Sequence, residues 1–149
     1  MAGTVLLIVL LAVLALSGYA MYRWVVVPGR RAPKYVVSQE FSPDEIVREQ
    51  QLARLLGQAS RGPAGFTTGW LVLSTDRLWF YDTGTESARV DVPLDTVTGT
   101  ELAPEYLGVD TGRPLLVVRF GAGAETDSVG FHLPYPDEWR LAIDNLRPA

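Results

Sequence analysis

Three patterns of apolar spacing succeed one another along the chain. From Thr4 to Tyr22 there is no charged residue; Leu, Val, Ile and Ala dominate, and Ser17 breaks an otherwise apolar run from Val5. Val25 to Val27 extend that run past Arg23 and Trp24. Taken from Thr4 to Val27, a helix is about 36 Å long at about 1.5 Å per residue, enough to cross a hydrocarbon layer of about 30 Å with some tilt. Tyr19, Tyr22 and Trp24 stand where an aromatic belt belongs, and Arg23 is placed to snorkel toward headgroups. Pro28-Gly29 is expected to end the helix. A cleaved signal peptide would start with a positive segment and close on a small-residue motif. Here Met1-Ala2-Gly3-Thr4 has no charged side chain, the apolar run is longer, and the basic cluster follows it. The pattern predicts a transmembrane anchor over 1–28 and a juxtamembrane linker over 29–41, with Tyr35-Val36-Val37 as a candidate brief strand.

The second pattern is helical. Ser42 stands as an N-cap, Pro43 at the first helical position and Glu45 three residues after the cap, a capping-box arrangement. Asp44 and Glu45 complement the positive helix start. Ile46, Leu52, Leu55 and Leu56 then form an apolar stripe with Val47 at its edge, opposite Arg48, Glu49, Gln50 and Arg54, and Gly57 or Gly62-Pro63 supplies the stop. A helix is expected from Ser42 to about Leu56.

From Phe66 the period becomes two. Gly69-Trp70-Leu71-Val72-Leu73 and Leu78-Trp79-Phe80-Tyr81 flank the turn Ser74-Thr75-Asp76-Arg77 as a hairpin. Leu71, Leu73, Leu78 and Phe80 share one face; Trp70, Trp79 and Tyr81 share the other. Ala88 to Leu94 alternates with Val90, Val92 and Leu94 inward, and Val97 to Leu102 is a further strand candidate. After the loop Ala103 to Pro114 come Leu115 to Phe120 and Ser128 to Leu133, the latter with Val129, Phe131 and Leu133 on one side. Pro136-Asp137-Glu138 opens a last helix with Trp139, Ile143 and Leu146 on one face. At least five short strands between two helices fit a mainly β (α+β) domain over 42–149. The expected form is an antiparallel meander curled into a partial barrel, with an amphipathic helix covering an open end.

Charge sharpens the division. All seventeen acidic residues lie between Glu40 and Asp144, against nine arginines from Arg48 onward, so this part of the chain carries a net charge of −8. Arg23, Arg30, Arg31 and Lys34 form an acid-free basic cluster just after the apolar run. That asymmetry predicts a single-pass protein of the cell membrane with its N-terminus outside and its C-terminal domain in the cytoplasm. The same four residues are also able to attract anionic lipid. A net-negative domain is a poor match for nucleic acid, which needs a cationic footprint. With no cysteine in the chain, disulfides and thiolate chemistry are excluded.

The hairpin Gly69-Trp70-Leu71-Val72-Leu73-Ser74-Thr75-Asp76-Arg77-Leu78-Trp79-Phe80 resembles the opening hairpin of GRAM and bacterial pleckstrin-homology-like domains, which reads Gly-x-Leu-x-Leu-Thr-x-x-Arg-Leu-x-Phe. Ser74 stands where Thr is common. Val92-Pro93-Leu94-Asp95-Thr96-Val97 resembles a later strand of those domains, and the helix bearing Trp139 resembles their C-terminal capping helix. The likeness runs from Gly69 to Leu146. It implies a binding or scaffolding module at membranes, and it brings no catalytic residues.

Nothing in the residues themselves points to catalysis, a cofactor or a metal. His132 is the only histidine, on the outward side of its strand and without a local acid or thiol to orient it. Gly121-Ala122-Gly123 lacks the third glycine and the helix of a dinucleotide loop, and no nucleophile elbow or phosphate loop occurs. The expected role is a non-enzymatic interaction module binding another protein. A lipid- or small-ligand-binding domain at the membrane is the alternative. Trp70, Trp79 and Tyr81 are the candidate partner surface, unless the 42–56 helix lays its apolar stripe over them. Arg77, Arg89 and Arg119 are the candidate contacts to phospholipid headgroups.

Overall fold

A computed structural model describes residues 2–148, with the side chains of residues 21–33 outside the description. The chain forms two compact units, Met1–Val37 and Ser38–Ala149. Helix α1 (Ala2–Glu40) contains one segment, Ala2–Ala20, that is long and apolar enough to cross a membrane. The helix continues through Pro28-Gly29, which was expected to stop it, and takes in Tyr35-Val36-Val37, which was expected to extend as a strand. The penalties for proline and glycine, about 3 and about 1 kcal/mol, are local costs within a long ladder. The expectations for Tyr22, Arg23, Trp24, Arg30 and Arg31 rest on side chains outside the described residues.

In the second unit the Ser-Pro-Asp-Glu signature makes a single turn of 3₁₀ helix, Pro43–Glu45, with no side-chain cap from Ser42. The helix expected over 42–56 is not there. Strand β1 (Ile46–Gln58) runs instead, paired to β2 (Gly62–Ser74) along its length and to β7 (Asp127–His132) over its second half. Two irregularities explain why the residues imitate a helix. A bulge between Gln50 and Ala53 puts Leu52 in the left-handed region (φ 58°) and out into solvent, and a second irregularity between Leu55 and Gly57 leaves Leu56 buried directly after the core residue Leu55. Without those two residues, Ala53 and Leu55 alternate as a strand requires. Pairing on both edges overrides the local signal.

The remaining strands match the expected positions. The hairpin of β2 and β3 (Arg77–Asp82) pairs Leu71 with Phe80 and Leu73 with Leu78. Strand β4 (Ser87–Pro93) follows, then β5 (Val97–Ala103), β6 (Leu115–Phe120), β7 and the helix α2 (Pro136–Leu146). All strand neighbours are antiparallel in the order β4-β3-β2-β1-β7-β6-β5, so two meanders, β1–β4 and β5–β7, join where β1 meets β7. The core holds Leu71, Leu73, Leu78, Phe80, Val90, Val92, Val118, Val129 and Phe131, closed by Trp139 and Ile143 of α2. That helix packs against β5, β6 and β1.

Both ends of the sheet's outer face are covered. The β5–β6 loop lies over β7 and β1. Tyr106 rests on Gly130, where a Cβ would come within 2.3 Å of the ring, and its hydroxyl shares a 2.8 Å hydrogen bond with Ser128. Leu107 lies over Gly57 in the same way. At the opposite end the ring of Phe41 meets that of Trp79 edge-on at 5.3 Å. On the same face Phe66 and Thr68 of β2 remain exposed.

Candidate functional site

Trp70, Trp79 and Tyr81, the candidate partner surface, share the outer face of the β2–β3 hairpin. Each is buried, at 7%, 3% and 6% exposure. Trp79 stacks on Tyr81 at 5.9 Å and is covered by Phe41. The cover expected from a helix over 42–56 is supplied, for Trp79, by the residue just before that segment. Large flat rings on an outward face were the right sign of a buried contact, and the contact is internal.

The three arginines proposed for headgroups are each held by carboxylates of their own domain. Arg77 opens β3, 3.1 Å from both Glu40 and Asp91, with its guanidinium 4.4 Å over the Phe41 ring. Partial burial alone would lower its pKa, yet Glu40 and Asp91 together hold it above the usual arginine value. Arg89 on β4 reaches the buried Asp82 at 3.1 Å. Burial would raise the Asp82 pKa, but hydrogen bonds from Thr85 and Gly84, with Arg89 nearby, hold it below the usual carboxylate value. Arg119 on β6 pairs with Glu101 at 3.1 Å across the β5–β6 ladder. Beside Arg89, the β1–β2 turn leaves a recess of only ≈ 50 Å³ lined by Gln58, Arg61 and Ala64.

The open part of the outer face has a different chemistry. Ala53 and Leu55 face the core, so Arg54 between them faces out, and its direct strand partners are Thr68 on β2 and His132 on β7. Phe66 on β2 is 93% exposed, and the Arg54 guanidinium lies 5.0 Å over its ring. Leu52, at the bulge, is 83% exposed. Arg113, at the end of the β5–β6 loop, completes the group: burial lowers the His132 pKa first, and the charges of Arg54 and Arg113 lower it further. Six of the nine arginines in Ser38–Ala149 are ion-paired. Arg54, Arg61 and Arg113 have no carboxylate partner among the described residues; Arg54 is the direct strand neighbour of His132, and the charge of Arg113 also reaches it.

Among the described residues no three His, Asp or Glu side chains converge as metal ligands. A histidine flanked by two guanidinium groups suits an anion better than a cation. Sequence reasoning placed Arg54 on a solvated helix face and His132 on an outward strand position without connecting them. Only the pairing of β1 with β7 brings them together, and no local motif carries that pairing.

No protein-family model and no curated protein matches this sequence. Among solved structures, the Vps36 N-terminal PH domain superposes with a TM-score of 0.54 at 14% identity, covering 71% of this chain and 80% of that one. At such identity the likeness concerns fold alone: the chain carries a pleckstrin-homology-like domain, a partial barrel of seven antiparallel strands closed by a C-terminal helix.

Proposed function

We propose that this chain is a membrane-tethered, non-enzymatic module that binds another protein, with residues 1–28 as the anchor, 29–41 as the juxtamembrane connection and 42–149 as the binding domain. The observation that carries the reading is the exposed pair Phe66 and Leu52 beside the unpaired Arg54. Aromatic and arginine side chains are the usual anchors of protein interfaces. The headgroup alternative has less support, because Arg77, Arg89 and Arg119 are already neutralised within the domain.

The test is co-purification of the full chain in mild detergent, with intact-mass analysis of what remains bound. A stoichiometric protein partner is expected. The Phe66→Ser chain should lose it about tenfold or more in affinity, as hot-spot truncations do. A retained lipid with no protein, or a partner held equally by Phe66→Ser, would count against the reading.

The orientation belongs to the same proposal. Arg23, Arg30, Arg31 and Lys34, on the C-terminal side of the apolar run, support a cytoplasmic domain. Protease added to intact spheroplasts should leave the domain whole and cut it only after lysis. Cleavage without lysis would reverse the topology.

A further inference from the structure

The window on the outer face combines features that narrow the kind of partner, and this inference rests on the protein-binding reading above. We infer that Arg54, Arg113 and His132 form a receptor site for an acidic segment of a partner protein, whose carboxylates engage the two guanidinium groups while an apolar side chain of the same segment lies against Phe66.

Four observations converge on that assignment. First, the site is cationic in a domain of net charge −8, where nearly every other arginine is balanced by an acid. Arg54 stands unbalanced beside the imidazole of its strand neighbour His132, and the charge of Arg113 adds to the positive field there, which favours an anion. Second, Arg54 is preorganised. It lies over the Phe66 ring, and its Nε is buried without a hydrogen-bond partner among the described residues, which leaves the outer nitrogens of the planar fork as its binding edge. Third, the apolar and cationic parts are adjacent on three neighbouring strands: Phe66 and Thr68 on β2, Arg54 on β1, His132 on β7. A ligand that satisfies the window carries carboxylates and a large apolar group within a few ångströms, which is the chemistry of an acidic peptide with an interspersed hydrophobic residue. Fourth, the domain's charge selects a slim ligand over a broad one. At about 0.15 M salt, interactions between exposed charges decay over a Debye length of roughly 8 Å. A peptide within that distance of the window feels Arg54 and Arg113, whereas an anionic bilayer faces the whole acidic domain.

The histidine makes the site self-reporting. The charged groups that act on it are Arg54, from the neighbouring strand, and Arg113, from the loop before β6; both are cationic and both oppose its protonation. A carboxylate seated between them reverses that field, so occupancy raises the His132 pKa. By linkage, affinity then rises as pH falls through that pKa. As the only histidine of the chain, it gives a single unambiguous NMR signal.

The experiment uses the full chain in nanodiscs of neutral lipid. The probe is a fluorescein-labelled synthetic peptide of alternating Glu and Phe, with an alternating Lys and Phe peptide as its control, read by anisotropy. The acidic peptide is expected to bind and the basic one to fail. Arg54→Gln and Arg113→Gln should each weaken binding about fivefold, the upper range for a partly exposed ion pair, and Arg140→Gln on α2 should not. His132→Gln should abolish the pH dependence, and saturating peptide should move the His132 signal toward higher pKa. Equal binding by Arg54→Gln and the unaltered chain, or no binding by the acidic peptide, overturns the anion site. The broader reading is judged separately: a natural partner that is still lost on Phe66→Ser keeps the interaction module while this ligand class falls. Vesicles of neutral lipid containing anionic phospholipid, added in place of the peptide, supply the remaining outcome. Binding to them that is lost in Arg54→Gln, with none to the peptide, overturns both.

Discussion

Replacing Phe80 by Ala is expected to cost the domain about 3–5 kcal/mol, the usual range for a fully buried phenylalanine. The ring has no exposure, sits opposite Leu71 on β2 and Val90 on β4, and lies 5.8 Å from Phe131, tilted by 45°. Its position matters as much as its size. Phe80 belongs to the β1–β4 meander and Phe131 to the β5–β7 meander, so their contact ties the two halves of the barrel across the core. Removing one ring leaves a cavity in the core between the two meanders. Against a typical domain stability of about 5–15 kcal/mol this is a large fraction. Urea melts of the full chain in mild detergent, followed by near-ultraviolet circular dichroism, give the number. A loss below about 1 kcal/mol would place Phe80 at the surface and break the assignment of faces.

The strands from Gly69 onward were legible because each is a short apolar or alternating run bounded by turn residues. Val90, Val92 and Leu94 point inward as their spacing requires, and so do Val129, Phe131 and Leu133. The final helix was legible for a similar reason: Pro136 opens it, and Trp139 and Ile143 are four residues apart on one turn-spanning face. The segment from Ser42 to Gln58 was not legible. Its sequence offers a good N-cap and an apolar spacing close to three and four, and the true alternation is hidden by bulges at Leu52 and Leu56. The information that decides the matter lies in β2 and β7, which are distant in sequence and offer β1 a partner on each edge. A strand that bridges two meanders is where local propensity should be least informative.

The same strand explains why the site was hidden. Arg54 looked like one of several polar residues on a solvated face, and His132 looked like an isolated imidazole. The β1–β7 pairing makes them direct neighbours, and the β5–β6 loop brings in Arg113 from a separate part of the chain. In contrast, the aromatic residues that were conspicuous in sequence are used internally: Trp79 and Tyr81 stack, and Phe41 closes over Trp79. Conspicuous aromatics marked burial. Phe66, 93% exposed, was inconspicuous because it stands at the start of the period-two segment, apart from the three clustered rings of the hairpin.

Gly69→Ala is expected to be as damaging as the loss of a core ring, although it adds only one methyl group. Gly69 stands at the head of the Gly-x-Leu-x-Leu hairpin, paired with Asp82 on β3 and with Ala53 on β1. A Cβ there would lie 1.9 Å from the Tyr81 carbonyl oxygen and 2.9 Å from the Phe80 ring. The first contact is with backbone, which cannot rotate away, so β2 and β3 would have to part or shift register where both are buried. The glycine is therefore required by close approach, and a cost of about 3 kcal/mol or more is expected, at or above the top of the usual overpacking range. Gly62, at the β1–β2 turn, is the informative comparison. Its φ is 83° and nothing lies within 4 Å of its would-be Cβ, so Gly62→Ala meets only the left-handed backbone penalty of about 1–2 kcal/mol. Urea melts of the two variants, run beside the Phe80→Ala chain, should place Gly69→Ala well below Gly62→Ala. Amide exchange should show the excess loss in β2 and β3. Equal stability of the two glycine variants would mean that the β2–β3 ladder has slack at Gly69, and that the hairpin motif is not fixed by steric contact there.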